Sequence, residues 1–75
     1  MAAAFTLTLH GDRGRLGGKV TQYQAMGDPH HEIVIYSVGN AWRVKRRSRG
    51  DPNSKWQEWP GKFASPEEAK EELEA

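Results

Sequence analysis

The sequence contains no cysteine, so two common ways of stabilising a short chain are absent. Neither a disulfide framework nor a cysteine-based zinc site can hold the fold together. No run of residues approaches the roughly 18 apolar positions of a transmembrane helix. The first residues also lack the basic segment that opens a secretory signal peptide. We therefore expect a cytoplasmic protein that does not enter a membrane.

The length of 75 residues fits a single domain, 1–75. A chain of this size buries only about 60% of the surface that it exposes when unfolded, so its core is small. Three tryptophans, two tyrosines and two phenylalanines must supply much of that core. Each aromatic side chain can bury on the order of 150–250 Å².

The net charge of +1 conceals an uneven distribution of charged residues. Residues 1–62 contain ten Lys or Arg and five Asp or Glu, a balance of +5. Residues 63–75 contain one Lys and five Glu, a balance of −4. A basic body followed by an acidic C-terminal segment is therefore more informative than the near-neutral total.

Apolar or β-branched residues mark several segments with the period of a β-strand. The predicted strands are Ala3–His10, Lys19–Met26, Glu32–Val38, Ala41–Ser48 and Lys55–Trp59. The third segment is apolar on both faces, which favours a central position or a covering helix. In the second segment Val20 and Tyr23 fall on opposite faces, so we expect a bulge there. Gly39-Asn40 predicts a two-residue hairpin turn between the third and fourth segments.

The clearest helix signal follows the last predicted strand. Ser65 suits the N-cap, Pro66 suits the first helical position, and Glu68 completes a capping box. Ala69 and Leu73, four residues apart, form a narrow apolar stripe that can dock on a sheet. The predicted fold is α+β: an antiparallel sheet of four to five strands with one C-terminal helix packed on one face.

The fourth strand is predicted to have an apolar face and a basic face. Trp42 and Val44 point to one side, while Arg43, Lys45 and Arg47 point to the other. At roughly 3.3 Å per residue, neighbouring cations lie about 6–7 Å apart. Arginine suits the O6 and N7 atoms of guanine, and lysine suits phosphate, so this row suggests a nucleic-acid contact.

The alternative interpretation is an exposed face that its cations keep in solution. Some of those cations would then pair across strands with Glu32 or Glu58. A protein partner or an anionic lipid surface is a further reading of the same row. Trp56, an exposed tryptophan beside Arg and Lys, would be a stacking contact in the nucleic-acid reading.

A glycine-rich loop from Gly11 to Gly18 is predicted to bring more cations to the same ligand, through the phosphate backbone. The predicted nucleic-acid-binding residues are Arg43, Lys45, Arg47, Arg49, Arg13, Arg15, Lys19 and Trp56.

The order of residues in the second half resembles that of a known DNA-binding module. A Trp-x-Val pattern at 42–44 is followed by Trp56, by Gly61-Lys62-Phe63 and by Ser65–Ala69. This order resembles the small sheet module of the plant AP2/ERF type, and it is similar to the N-terminal arm-binding module of tyrosine recombinases. The resemblance covers about residues 38–74. It implies a three-stranded sheet on one C-terminal helix, with the exposed sheet face in the major groove of DNA.

The resemblance also implies a role for individual residues. Arg43, Lys45 and Arg47 would form the groove-facing row, and Trp42 would belong to the core strand. Phe63 would pack just before the helix. Ala69 would lie on the helix face that contacts the sheet.

Other chemistries find little support in the sequence. The histidines His10, His30 and His31 lack the spacing of a metal site, so we expect no metal. No nucleophile and base are arranged to share a pocket, and the glycines do not match a phosphate-binding loop. We therefore expect neither catalysis nor a cofactor. Arg49-Gly50-Asp51 matches an integrin-binding tripeptide, but turn chemistry explains it better.

We therefore expect a small non-enzymatic binding module, with duplex DNA as the favoured ligand. An alternative is a protein-interaction module that uses a sheet edge or an exposed aromatic patch, including association as a homodimer. A third, weaker reading is a regulator whose acidic helix mimics nucleic acid.

Overall fold

A computed structural model describes residues 6–11 and 19–74, which form one antiparallel sheet and one helix. The elements are β1 (Thr8–Gly11), β2 (Gln22–Met26), β3 (His31–Val38), β4 (Ala41–Ser48), β5 (Gln57–Glu58) and α1 (Pro66–Glu74). Each strand pairs with the next along the chain, in the order β1-β2-β3-β4-β5. The predicted α+β fold is confirmed.

The strand β3 lies at the centre of the sheet, as its two apolar faces predict. It pairs with β4 over its whole length, from His31 opposite Ser48 to Val38 opposite Ala41. The two-residue turn between them is confirmed. Gly39 has a φ of +61° and Asn40 has a negative φ, which is the pattern of a type II′ turn.

The strand β2 is more regular than the sequence predicts. It begins at Gln22 and pairs with β3 in continuous register, from Gln22 opposite Tyr36 to Ala25 opposite Ile33. The predicted bulge is therefore wrong. Val20 lies before the strand, so its mismatch with the alternation leaves the pairing undisturbed.

The two edge strands differ in extent from the prediction. Residues 3–5 of the first predicted strand lie outside the described residues, and within the described part β1 begins at Thr8 and extends to Gly11, which was expected in a loop. The last predicted strand is reduced to the two residues of β5. The backbone still follows β4 beyond β5, because the Trp59 amide donates to the Val44 carbonyl at 2.8 Å.

The turn between β2 and β3 depends on a glycine and an aspartate. Gly27 has a φ of +132°, and a Cβ at this position would run into the carbonyl oxygen of Thr6. The buried carboxylate of Asp28 accepts hydrogen bonds from the amides of His30 and His31, at 2.8 and 3.2 Å. Glycine, aspartate and proline favour turns, and this segment contains the three in succession.

One face of the sheet packs against α1 and forms the core; we call it the covered face. Its buried residues are Leu7, Ala25, Ile33, Ile35, Val44 and Ala69. Each of them exposes 2% or less of its surface. The helix contributes Ala69, and the partly buried Leu73 packs beside it, which confirms the predicted apolar stripe.

The start of α1 is fixed by its cap and by the residue before it. The Ser65 hydroxyl accepts a hydrogen bond from the Glu68 amide at 3.2 Å, as an N-cap does. Phe63 exchanges two backbone hydrogen bonds with Trp42, both at 2.8 Å, and packs on the core. Within residues 6–11 and 19–74, no helix has the length and apolar character that a bilayer crossing needs.

The end of α1 is tied to the first described residues by Glu74. The amide of the buried Leu7 donates to the Glu74 carboxylate at 2.6 Å, and the Lys70 ammonium lies 3.4 Å from the same carboxylate. The bond from Leu7, assisted by Lys70, lowers the pKa of Glu74, although partial burial acts in the opposite direction.

Candidate nucleic-acid interface

The sheet face opposite α1 carries polar, charged and aromatic side chains around the buried Val34; we call it the open face. It is defined by Glu32, Val34, Tyr36, Arg43, Lys45, Arg47, Trp56 and Glu58. Directly paired residues of neighbouring strands point to the same side of a sheet. The pairs Val34–Lys45 and Lys45–Glu58 therefore place three strands on one surface. Among the described elements none packs over this surface.

The predicted separation of β4 into two faces is confirmed. Val44 is fully buried and Trp42 packs on the core, both on the covered face. Arg43, Lys45 and Arg47 lie between them in sequence and point to the open face. The row of three cations therefore exists as a geometric feature.

Two of the three cations already have a carboxylate partner. Arg43 lies 3.3 Å from Glu58, and Arg47 lies 2.9 Å from Glu32. These are the cross-strand pairs that the alternative interpretation expects. Glu58 is exposed, and the Arg47–Glu32 pair is partly exposed. Ion pairs at a protein surface contribute about 0–1 kcal/mol, so another anion can exchange with the carboxylate at low cost.

Lys45, the middle cation, is held by aromatic rings. Its ammonium lies 5.4 Å from the centre of the Tyr36 ring and 5.1 Å from the centre of the Trp56 ring. Within the described residues no carboxylate lies within ion-pair distance of it. The attraction between a cation and an aromatic face positions Lys45 without neutralising its charge.

The three tryptophans divide between the two faces. Trp56 is 38% exposed, and its ring also carries the Arg47 guanidinium at 4.6 Å. Trp59 packs against the core, and the guanidinium of Arg46 lies 4.9 Å from its ring. Trp42 also packs on the core. Trp56 and Trp59 are three residues apart, so on a regular strand they point to opposite sides, and one of them belongs to each face.

Tyr36 is an aromatic residue of the open face that the sequence analysis did not select. Its hydroxyl donates to Glu58 at 2.9 Å, while Glu58 also holds Arg43. The hydrogen bond to Glu58 raises the pKa of Tyr36; burial and the Glu58 charge act in the same direction, and Arg43 opposes them. The signal was available, because the Gly39-Asn40 turn sets Tyr36 opposite Arg43.

The remaining predicted cations are less closely connected to the row. The exposed Arg49 donates to the His31 carbonyl at 3.2 Å, beyond the end of β4. Lys19 is exposed and precedes β2. Arg13 and Arg15 lie outside the described residues, so their predicted role stays a prediction.

A polar groove of about 440 Å³ opens at the Arg47 end of the row. It is lined by Glu32, Arg47, Ser48, Gly50, Asp51 and Pro52. Asp51 is exposed, and one of its carboxylate oxygens accepts the Asn53 amide at 2.9 Å. The Arg-Gly-Asp tripeptide therefore forms part of a turn, in which Gly50 has a φ of +83°.

The histidines show no arrangement for metal binding. His31 has its Nδ1 atom 3.2 Å from the Asp28 carboxylate that orders the turn before β3. Within residues 6–11 and 19–74, no three His, Asp or Glu side chains are grouped to hold a metal ion.

Comparisons of the chain with protein-family models, with curated proteins and with solved structures found no match. The sheet has five strands, two more than the resemblance to the AP2/ERF type and arm-binding modules implies. The function must therefore be inferred from the geometry of the open face.

Proposed function

We propose that this protein is a small non-enzymatic module that binds nucleic acid through the open face. The observation that carries the proposal is an exposed tryptophan, Trp56, contacted by two cations on an uncovered sheet surface. A base can stack on such a ring while Lys45 and Arg47 meet the neighbouring phosphates. Proteins that bind single-stranded nucleic acid commonly combine aromatic side chains, on which bases stack, with neighbouring cations that contact the phosphates.

The charge balance of the open face favours single strands over duplexes. The face carries three cations and two carboxylates, and each carboxylate holds one of the cations. Counterion release from a duplex depends on the number of phosphates that are neutralised, so a nearly balanced face gains little from it. Base stacking on Trp56 does not depend on net charge and compensates for the small electrostatic contribution.

Duplex DNA is the second candidate, and two observations support it. The order of residues in the second half resembles duplex-binding modules. In addition, the side chains of Arg43, Lys45 and Arg47 point out of the open face. Arg43 and Arg47 can reach guanine edges once they leave Glu58 and Glu32. The two candidates use the same protein surface and differ only in whether the nucleic acid is single-stranded or double-stranded. One experiment can therefore distinguish them.

Fluorescence anisotropy with a labelled thymine run and with a labelled duplex of equal length, each at two salt concentrations, tests the proposal. We expect tighter binding to the single strand, with a slope of log affinity against log salt of about −0.7 per phosphate contact. With three cations the slope is no steeper than about −2. Tighter binding to the duplex would favour the second candidate, and no binding at low salt would overturn the proposal.

Matched charge variants locate the contact. The triple variant Arg43→Gln/Lys45→Gln/Arg47→Gln removes three charges from the open face and should abolish measurable binding. Its control, Arg46→Gln/Lys62→Gln/Lys70→Gln, removes the same charge elsewhere and should retain most of the affinity. Equal loss in the two triple variants would show non-specific attraction rather than a defined face.

Substitutions of the tryptophan and of the carboxylates on the open face should change the affinity for nucleic acid in opposite directions. Trp56→Ala should weaken binding about 5- to 150-fold, the range of one base–aromatic stack, whereas Trp56→Phe should retain part of it. Glu32→Gln/Glu58→Gln releases Arg43 and Arg47 and should strengthen binding. If nucleic acid does not bind and Trp56→Ala instead changes the oligomeric state, the face belongs to a protein interface.

A further inference from the structure

The groove beside Arg47 differs in charge from the row that leads to it. Two of the side chains that line it, Glu32 and Asp51, are carboxylates, and only Arg47 is a cation. A phosphate is therefore repelled from the groove and attracted to the row. When a nucleic-acid strand binds along the cation row, a neutral part of it can enter the groove. In nucleic acid that neutral part is the base.

The groove is large enough to admit a base, and its walls can contact one. Its volume of about 440 Å³ lies in the range of small-molecule sites, roughly 300–1,000 Å³. Arg47 lines it while its guanidinium also lies over the Trp56 ring, so the groove continues the aromatic surface of the open face. Pro52 adds an apolar wall, and guanidinium planes accept stacked bases.

Asp51 is the better placed of the two carboxylates for reading a base edge. In the described part of the chain, one Glu32 oxygen receives both bonds from Arg47, so Glu32 is already engaged. Asp51 is exposed and its carboxylate accepts only the backbone amide of Asn53 among the described residues. A carboxylate has about four acceptor sites, so Asp51 retains most of its capacity.

We propose that this groove is a subsite for one unpaired guanine, read by the Asp51 carboxylate; the inference rests on the proposed nucleic-acid function. Guanine presents two adjacent donors on its Watson–Crick edge, N1–H and the 2-amino group, which match the two oxygens of a carboxylate. Adenine and cytosine present one amino donor beside a ring acceptor, which a carboxylate repels. Thymine and uracil present one N–H between two carbonyl oxygens.

The test uses labelled thymine runs that differ only at one central position, which is guanine, hypoxanthine or adenine. Hypoxanthine is guanine without the 2-amino group, so it retains one of the two donors. We expect the guanine strand to bind about tenfold more tightly than the adenine strand, as one bidentate contact provides, with hypoxanthine between them. The ratio between strands is the readout, because it cancels effects of overall charge.

Asp51→Asn should remove the guanine preference while the plain thymine run still binds. The asparagine oxygen can still accept the Asn53 amide, so the turn is retained. Glu72→Gln on α1 makes the same charge change away from the groove and should leave the preference intact.

The outcomes separate the two proposals. Equal binding of the guanine and adenine strands, or a preference that survives in Asp51→Asn, overturns the guanine subsite alone, provided that the thymine run binds. Failure of every strand to bind overturns both the subsite and the proposed function.

Discussion

The covered face and the open face are built from alternate residues of the same strands, yet different forces hold them. On the covered face, Ile35 and Val44 have no exposed surface, and α1 closes over them. On the open face, Arg43, Lys45 and Arg47 are held by ion pairs and aromatic contacts, which are individually weak in water. One face therefore fixes the fold, while the other can exchange its partners without unfolding the protein.

Truncation of one residue on each face should give the largest contrast. Ile35→Ala removes buried methylene groups from the covered face and should lower the free energy of unfolding by about 2–5 kcal/mol. Val38 lies at the end of β3, is 49% exposed, and points to the same side of the sheet as Val34 and Tyr36 of the open face. Val38→Ala should change the free energy of unfolding by about 0.5 kcal/mol or less. Urea unfolding followed by tryptophan fluorescence measures both variants. Similar decreases in the free energy of unfolding of the two variants would mean that the two faces contribute equally to the stability of the fold.

A smaller effect is expected where α1 is tied to Leu7. Glu74→Gln should lower the free energy of unfolding at neutral pH by less than Ile35→Ala, because a hydrogen bond to Leu7 remains but the charge is lost. The pKa of Glu74 is lowered in the folded protein, so its contribution is complete above the ordinary glutamate range, about pH 4.3. The contribution disappears as the pH falls through the lowered pKa.

The stability difference between the wild type and Glu74→Gln should therefore narrow as urea unfolding is repeated at increasingly acidic pH. Glu72→Gln, an exposed position on the same helix, is the matched control and should show no such trend. A difference that stays constant on acidification would contradict the role assigned to the Glu74 carboxylate.

The smallest effect on stability is expected on the open face. Glu58→Gln removes the charge that holds Arg43 and Tyr36, and should change the free energy of unfolding by about 0.5 kcal/mol or less. The pKa of Tyr36 should nevertheless fall toward its ordinary value, because the hydrogen bond to Glu58 is the main cause of its rise. Ultraviolet titration of the tyrosines measures this shift, with Tyr23→Phe used to isolate Tyr36. An unchanged Tyr36 pKa would show that Glu58 does not hold the hydroxyl in solution.

Local signals were sufficient for most of the fold. The Gly39-Asn40 turn set the register of β3 and β4, and Ser65 with Pro66 marked the first turn of α1. The two apolar faces of β3 placed it at the centre of the sheet. These features depend on neighbouring residues, and sequence patterns report neighbouring residues well.

The arrangement of the candidate site could be predicted only in part. Alternation placed the cation row on one face, but the rings around Lys45 depend on the pairing of β4 with β3 and of β4 with the segment before β5. The groove at Asp51 depends on how the loop after β4 turns back toward Glu32. The predicted bulge in β2 failed because a residue outside the strand was counted as part of it.

The hydrogen bond between Leu7 and Glu74 joins residues 67 positions apart, whereas every strand pairing in the sheet joins neighbours along the chain. During synthesis the hairpins can form as they leave the ribosome, because their contacts are local. Ile35 and Val44 lack the contacts of Ala69 and Leu73 until α1 has been made, so part of the covered face stays exposed to water until then. The nascent sheet is therefore most prone to aggregation just before the nine residues of α1 emerge from the ribosome.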